Sequence, residues 1–334
     1  VSAAETVRLL REPAAAADIE PGRWTGILCA ARAESLLATL AHRLAGLPLP
    51  ERVANILADA RADAERARVQ ALWEAEMARR ALAPLGIPVV LLKGTAYAAA
   101  GLAPAAGRSI GDLDILVPQA SLDEVERALL AAGWEWVKED DYDDLYYRRW
   151  MHELPPLIHK ERDRMIDVHH TILPPTARPS PDAASLIEES LPLENGLRIL
   201  SGEDMIVHSA AHLFADGDLA GGLRNLWDIH RLVGEFAGRD GFWQRLHERS
   251  ERHGLLSAVH RAGRLANDLY GTQLPESWRV WDSADPLFKA RLLARDGWGR
   301  LARPGLRFAF YVRSHWLRMP PLLLARHLLT KARR

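Results

Sequence analysis

The spacing of apolar residues changes twice along the chain, near residue 83 and again near residue 175. Before residue 83 it is helical. Residues 24–45 place Ile27, Ala31, Leu36, Leu37 and Leu40 at helix-face intervals, and Gly46, Pro48 and Pro50 then break the pattern. Residues 52–82 mix Ala, Glu and Arg with Val53, Ile56, Leu57, Val69, Leu72, Trp73 and Met77. That pattern predicts one or two amphipathic helices with a solvated charged face. Pro84, Gly86 and Pro88 mark the change. Residues 87–92 form a short aliphatic run between Gly86 and Gly94, the signature of a buried strand, and 112–117 predict a second.

Further on, 121–133 read as a helix, with Ser121 and Glu124 spaced as a capping box and Gly133 as its end. Residues 134–138 predict a strand. Glu139, Asp140, Asp141, Asp143 and Asp144 then predict a solvated acidic loop. Strands are expected at 145–150, 154–159 and 165–173, with a polar turn at 161–164. Pro155 and Pro156 would confine the middle strand to a sheet edge. Pro174, Pro175, Pro179 and Pro181 form a linker, and the pattern is helical from about 182 onward, with breaks at Pro275, Pro286, Pro304 and Pro320-Pro321. The chain thus divides into an N-terminal helical region (1–82), a strand-bearing core (83–175) and a C-terminal helical domain (176–334).

Side chains alternate faces along a strand. Asp112 and Asp114 therefore share a face, with Leu113, Ile115 and Val117 on the other. In 165–169, Ile166 and Val168 face the core and Asp167 and His169 share the opposite side. Carboxylates this close repel, and a hard divalent cation is the usual relief. The same repulsion predicts that Asn at 112 or 114 leaves metal-free stability level or raises it. Upstream, Lys93-Gly94-Thr95 opens a helix expected over 96–102. Glycine lets a backbone approach a phosphate, helix starts favour anions, and Lys93 and Arg108 flank the turn.

The segments LLKG, GRSIGDLDILV and IDVHH resemble the uncharacterised nucleotidyltransferase branch of the DNA polymerase β superfamily. The stretch from Gly94 to Asp112 is longer than the superfamily's commonest pattern. The resemblance implies an α+β fold, with a polymerase β-like mixed sheet flanked by N-terminal and C-terminal helical regions. It implies Mg²⁺, one ion or two, on Asp112, Asp114 and Asp167, the last as third carboxylate that holds metal or deprotonates the attacking hydroxyl. It implies an NTP donor bound by Lys93, Gly94, Thr95, Arg108 and His169. The product would be a nucleotidylated small molecule, sugar or peptide, made beside bacterial biosynthesis genes, with pyrophosphate released. The alternative is a non-catalytic scaffold that senses nucleotide or docks a partner.

Composition narrows this a little. The 334 residues carry a formal net charge of −1 with a pI near 7.0, so there is no basic footprint for nucleic acid. Cys29 is the only cysteine, which excludes an intramolecular disulfide and suits a reducing cytoplasm. The chain shows no signal-peptide pattern and no apolar run long enough for a transmembrane span, so a cytoplasmic protein is expected. From Leu301 onward there is no acidic residue. Arg303, Arg307, Arg313, Arg318, Arg326, Lys331, Arg333 and Arg334 alternate there with Phe308, Phe310, Tyr311, Trp316 and 322–324. This segment suits either an anionic surface or a core-packing helix pair with a basic tail. His208 and His212 have a zinc-protease spacing, but Ser209 stands where that motif has Glu. With Arg224 and Asp228 they resemble the helical region following the family's core, where packing or substrate contact is expected.

Overall fold

A computed structural model describes residues 2–138, 147 and 150–318. The acidic run at 139–144 and the basic tail beyond Arg318 lie outside the described residues. Among the described residues the fold is α+β, with one seven-stranded mixed sheet and helical segments before and after it in sequence.

The first helices are α1 (Ser2–Arg11), α2 (Trp24–Ala33), α3 (Leu37–Arg43) and α4 (Glu51–Leu82). The expected helix over 24–45 is two helices. Ser35 takes a left-handed backbone (φ 54°), and the buried Glu34 beside it accepts from Leu223 N–H at 3.1 Å and Arg295 Nε at 2.7 Å. A periodicity argument does not see a carboxylate drawn inward at the break. In contrast α4 is unbroken over 32 residues, roughly 48 Å at 1.5 Å per residue. It packs against α3, against α5 (Lys93–Ala99) and against α6 (Leu122–Ala131).

The strands are β1 (Val90–Leu91), β2 (Leu113–Leu116), β3 (Trp134–Trp136), β4 (Leu157–His159), β5 (Met165–His169), β6 (Leu191–Pro192) and β7 (Arg198–Ile199). Their order is β3-β4-β5-β2-β1-β7-β6. The β2–β5 and β1–β7 pairs are parallel and the rest antiparallel. Every residue of β2 is buried, so the sheet centre is covered on both faces.

Several expectations change. The strand expected at 154–159 is not an edge strand: Pro155 and Pro156 precede β4, which then pairs on both sides. Of the strand expected at 145–150, Tyr147 and Trp150 are described, and they are helical, with Met151 N–H donating to the Tyr147 carbonyl at 3.0 Å. Ser121 makes no capping bond, because a 3₁₀ turn (Gln119–Ser121) leaves its backbone near helical rather than extended. β6 and β7 were not expected at all. Each has two residues, too few for a period, and β6 contains Pro192.

After the linker come α7 (Ala183–Glu188), α8 (Gly202–Ala211), α9 (Gly222–Phe236), α10 (Phe242–Arg252), α11 (Leu256–Tyr270), α12 (Asp285–Leu292) and α13 (Pro304–Arg318). Ser201 caps α8 by accepting from Asp204 N–H at 3.1 Å. Pro304 starts α13 rather than breaking a helix, since its missing N–H is not needed there. α13 buries Phe310, and Arg313 donates to the Phe214 carbonyl, while Phe308, Tyr311 and Trp316 stay exposed. The buried apolar side chains form one cluster that runs through the first helices, the sheet and the later helices. Among the described residues no helix is long and apolar enough to cross a membrane.

Candidate active site

β2 and β5 run parallel with Asp114 opposite Asp167 and Leu116 opposite His169. In-register neighbours project to the same face of a sheet. Leu113, Ile115, Ile166 and Val168 fill the other face and are each at most 2% exposed, so the apolar alternation fixes which way the acids point. Asp112, exposed at the entry to β2, completes the group. One ligand oxygen from each of Asp112, Asp114 and Asp167 lies within 4.8 Å of the others.

The three carboxyls differ in charge state. Asp114 is 3% exposed. Its Oδ1 accepts from Lys93 Nζ at 2.7 Å and from His169 Nε2 at 3.1 Å. Burial opposes its ionisation, but the Lys93 ammonium and then His169 outweigh it and hold the group well below the usual carboxylate range. Among the described residues Asp167 has no such partners. Burial first, then the charges of Asp114 and Glu153, push it up to about 7. Repulsion is therefore compensated at Asp114 and left standing at Asp167, which corrects the expectation that removing the Asp114 charge would relieve strain.

Lys93 starts α5 with a left-handed backbone (φ 49°). Such conformations are rare for residues with a Cβ and persist where surroundings enforce them. Here the ammonium is drawn down to Asp114, and the side chain stays 27% exposed. Burial would lower its pKa, but Asp114, Asp112 and Glu153 together raise it, so the charge is secure.

Gly94 follows, and a Cβ there would stand 2.6 Å from Arg108 Nε. The absent side chain is what lets the Arg108 guanidinium lie across the helix start. Arg108 pairs with Asp228 on α9, which also faces Arg224 Nη2 at 3.3 Å. Thus Lys93 joins the carboxylates, while Arg108 is half-buried on the far side of Gly94 against Asp228 and Tyr97. Thr95 is 1% exposed and packs within the fold. The loop carrying Arg108 is clamped: Thr39 Oγ1 donates to the Gly107 carbonyl at 2.9 Å and receives Arg224 Nη1 at 2.7 Å. Gly107 (φ 66°) approaches Ala38 so closely that a Cβ would sit 2.5 Å from its carbonyl oxygen.

His152 and Glu153 were not singled out from the sequence. An antiparallel bridge between Glu153 and His169 carries them to the edge of the site. Glu153 Oε2 lies 3.5 Å from His169 Nδ1, and the His152 and His169 rings stack with centroids 5.2 Å apart. A His-Glu dipeptide has no spacing signature, and only the bridge register reveals it. His208 on α8 is buried, and burial, then the Lys93 charge, lower its pKa well below the usual range.

The donors of the Asp112, Asp114 and Asp167 group are all carboxylate oxygens, a hard set that suits Mg²⁺ or a similar ion. Burial first, and then the negative charges of Asp114 and Glu153, oppose ionisation of Asp167 in the metal-free protein. A hard divalent cation would offset those charges.

A family model described as an uncharacterised nucleotidyltransferase matches residues 20–271. The match spans all seven strands and three-quarters of the chain, and the protein belongs to this family. No curated protein matches it.

Proposed function

We propose that the protein is a Mg²⁺-dependent nucleotidyltransferase with a polymerase β-like catalytic core, moving a nucleotidyl group from an NTP to a hydroxyl acceptor and releasing pyrophosphate. The observation that carries this reading is the in-register pairing of Asp114 with Asp167, with Asp112 beside them. These three carboxylates would hold one or two Mg²⁺ ions, which when bound neutralise charge on the phosphates and on the entering and leaving oxygens.

The chain's own groups then have distinct tasks. Lys93 carries a secure positive charge at the mouth of the cluster, placed to meet phosphate oxygens. Gly94, with no side chain of its own, leaves room for Arg108 to lie across the start of α5. Arg108, clamped beneath it with Arg224, adds fixed positive charge that Asp228 only partly offsets. Asp167, in register with Asp114, would help hold metal or take the proton of the acceptor hydroxyl. His169 fixes the Asp114 carboxylate through its Nε2. The flanking regions 1–82 and 176–334 would frame the acceptor, a small molecule, sugar or peptide hydroxyl, and the reaction would take place in the cytoplasm.

The test is incubation with each α-labelled NTP, Mg²⁺ and a panel of hydroxyl acceptors, followed by mass analysis. An acceptor that gains one nucleoside monophosphate, with matching pyrophosphate, supports the reading. Tight NTP binding that ignores Mg²⁺ and yields no pyrophosphate across the panel would instead support a nucleotide-sensing module.

A further inference from the structure

We infer that His152, Glu153 and His169 form a second metal centre, distinct from the carboxylate group, that takes a divalent transition-metal cation such as Co²⁺, Zn²⁺ or Mn²⁺. One ligand atom from each of these residues lies within 4.8 Å of the other two. Two imidazoles and one carboxylate are a donor set for borderline cations, whereas Mg²⁺ prefers oxygen.

The chemistry of His169 points the same way. Asp114 Oδ1 is already paired with the Lys93 ammonium at 2.7 Å, and a carboxylate so paired accepts. The His169 nitrogen at 3.1 Å from it, Nε2, is therefore the donor, and Nδ1 is the nitrogen left to ligate. Among the described residues Nδ1 is buried, makes no hydrogen bond, and faces Glu153 Oε2 at 3.5 Å, beyond a normal N–H···O distance. A cation between them would be ligated by both. The arrangement also matches the general pattern of metal-binding histidines, in which one nitrogen ligates and the other donates to a carboxylate. Here that carboxylate is Asp114, so the second centre would polarise the very hydrogen bond that fixes Asp114.

The positions make this set possible. His152 and Glu153 are adjacent on a segment bridged to the end of β5: Glu153 pairs with His169, and His170 N–H donates to the His152 carbonyl at 2.9 Å. The His152 ring stacks on the His169 ring, an interplanar angle of 29°. His152 is 9% exposed and His169 3%, so both imidazoles are already withdrawn from water.

The full chain, stripped with chelator, is titrated with Co²⁺ in the presence of excess Mg²⁺. Bound metal is counted, and the visible d–d spectrum is recorded. One Co²⁺ per chain with a nitrogen-ligand spectrum is expected. It should persist in Asp112→Asn, and bind at least about tenfold more weakly in both His152→Ala and Glu153→Gln. Glu153→Gln guards against misfolding of the histidine variant, and melting curves accompany each protein. The inference is overturned if no Co²⁺ binds against Mg²⁺, if the spectrum disappears in Asp112→Asn, or if both His152→Ala and Glu153→Gln bind like wild type. Loss of nucleotidyl transfer is not a readout here, so failure of this centre and failure of the proposed activity are told apart.

Discussion

Asp114 and Asp167 stand opposite each other on adjacent parallel strands, yet one is held firmly ionised and the other is pushed toward the neutral form. Lys93 and His169 both reach Asp114 Oδ1, and the asymmetry follows from that. Without metal, an ionised Asp114 stands beside an Asp167 that is pushed up to about 7 and so is partly protonated near neutral pH.

Asp167→Asn and Asp114→Asn should therefore shift metal-free stability in opposite directions at neutral pH. The folded pKa of Asp167 lies above its unfolded value, so its favourable contribution is complete at low pH. That contribution is lost as pH rises from about 4 toward about 7, where the unfolded chain has ionised and the folded one has not. An amide mimics the neutral acid, so Asp167→Asn should gain on the order of 1–3 kcal/mol over wild type above pH 7, and little near pH 4. Asp114, with its lowered pKa, contributes stability above about pH 4 that is lost as pH falls, and Asp114→Asn should be destabilised at pH 7. Urea unfolding across pH in chelator measures both. Equal stabilisation by the two variants would contradict the assignment.

Lys93→Ala removes the cation that balances a buried carboxylate. It should cost about 1–3 kcal/mol in metal-free stability and weaken NTP binding more than Mg²⁺ binding. Calorimetric titration of each ligand separates the two effects. Unchanged NTP affinity would remove Lys93 from the phosphate end.

Part of this was readable from residue patterns, and the reasons divide cleanly. The alternation in 112–117 and 165–169 placed Asp112, Asp114 and Asp167 on one face, because a period of two is enforced by the pleat and by the buried Leu113, Ile115, Ile166 and Val168. The flanking helices followed from long periodic runs, and the α+β class from the short strand-like runs between them together with the family resemblance. Partnerships were not readable. That Arg108 turns to Asp228, 120 residues away, or that Lys93 closes on Asp114, depends on how α5 and α9 pack. The strands β6 and β7 and the His152-Glu153 pair are set by register against distant neighbours and leave no local signature.

Gly94→Ala should be more harmful than its position near a helix start suggests. The new methyl would meet Arg108 Nε at 2.6 Å and Ile110 Cγ1 at 3.2 Å. Arg108 would have to leave Asp228, costing that buried carboxylate one of its two cation partners. A loss of about 1–3 kcal/mol is expected, read as a lower urea midpoint at unchanged slope. Gly107→Ala meets backbone rather than side chain and needs a left-handed residue, so its loss should be at least as large.

The most direct test of the central claim is pyrophosphate release from NTP and Mg²⁺, measured for wild type, Asp112→Asn and Asp114→Asn with the acceptor that the mass screen identifies. An amide keeps the shape of the carboxylate and loses its charge, so each variant should be slower by at least about 10²–10³-fold. Asp112→Asn should keep the wild-type melting curve in chelator, because that exposed carboxyl has no ion pair among the described residues. Wild-type turnover in either Asn variant would contradict the claim that Asp112, Asp114 and Asp167 are the catalytic centre.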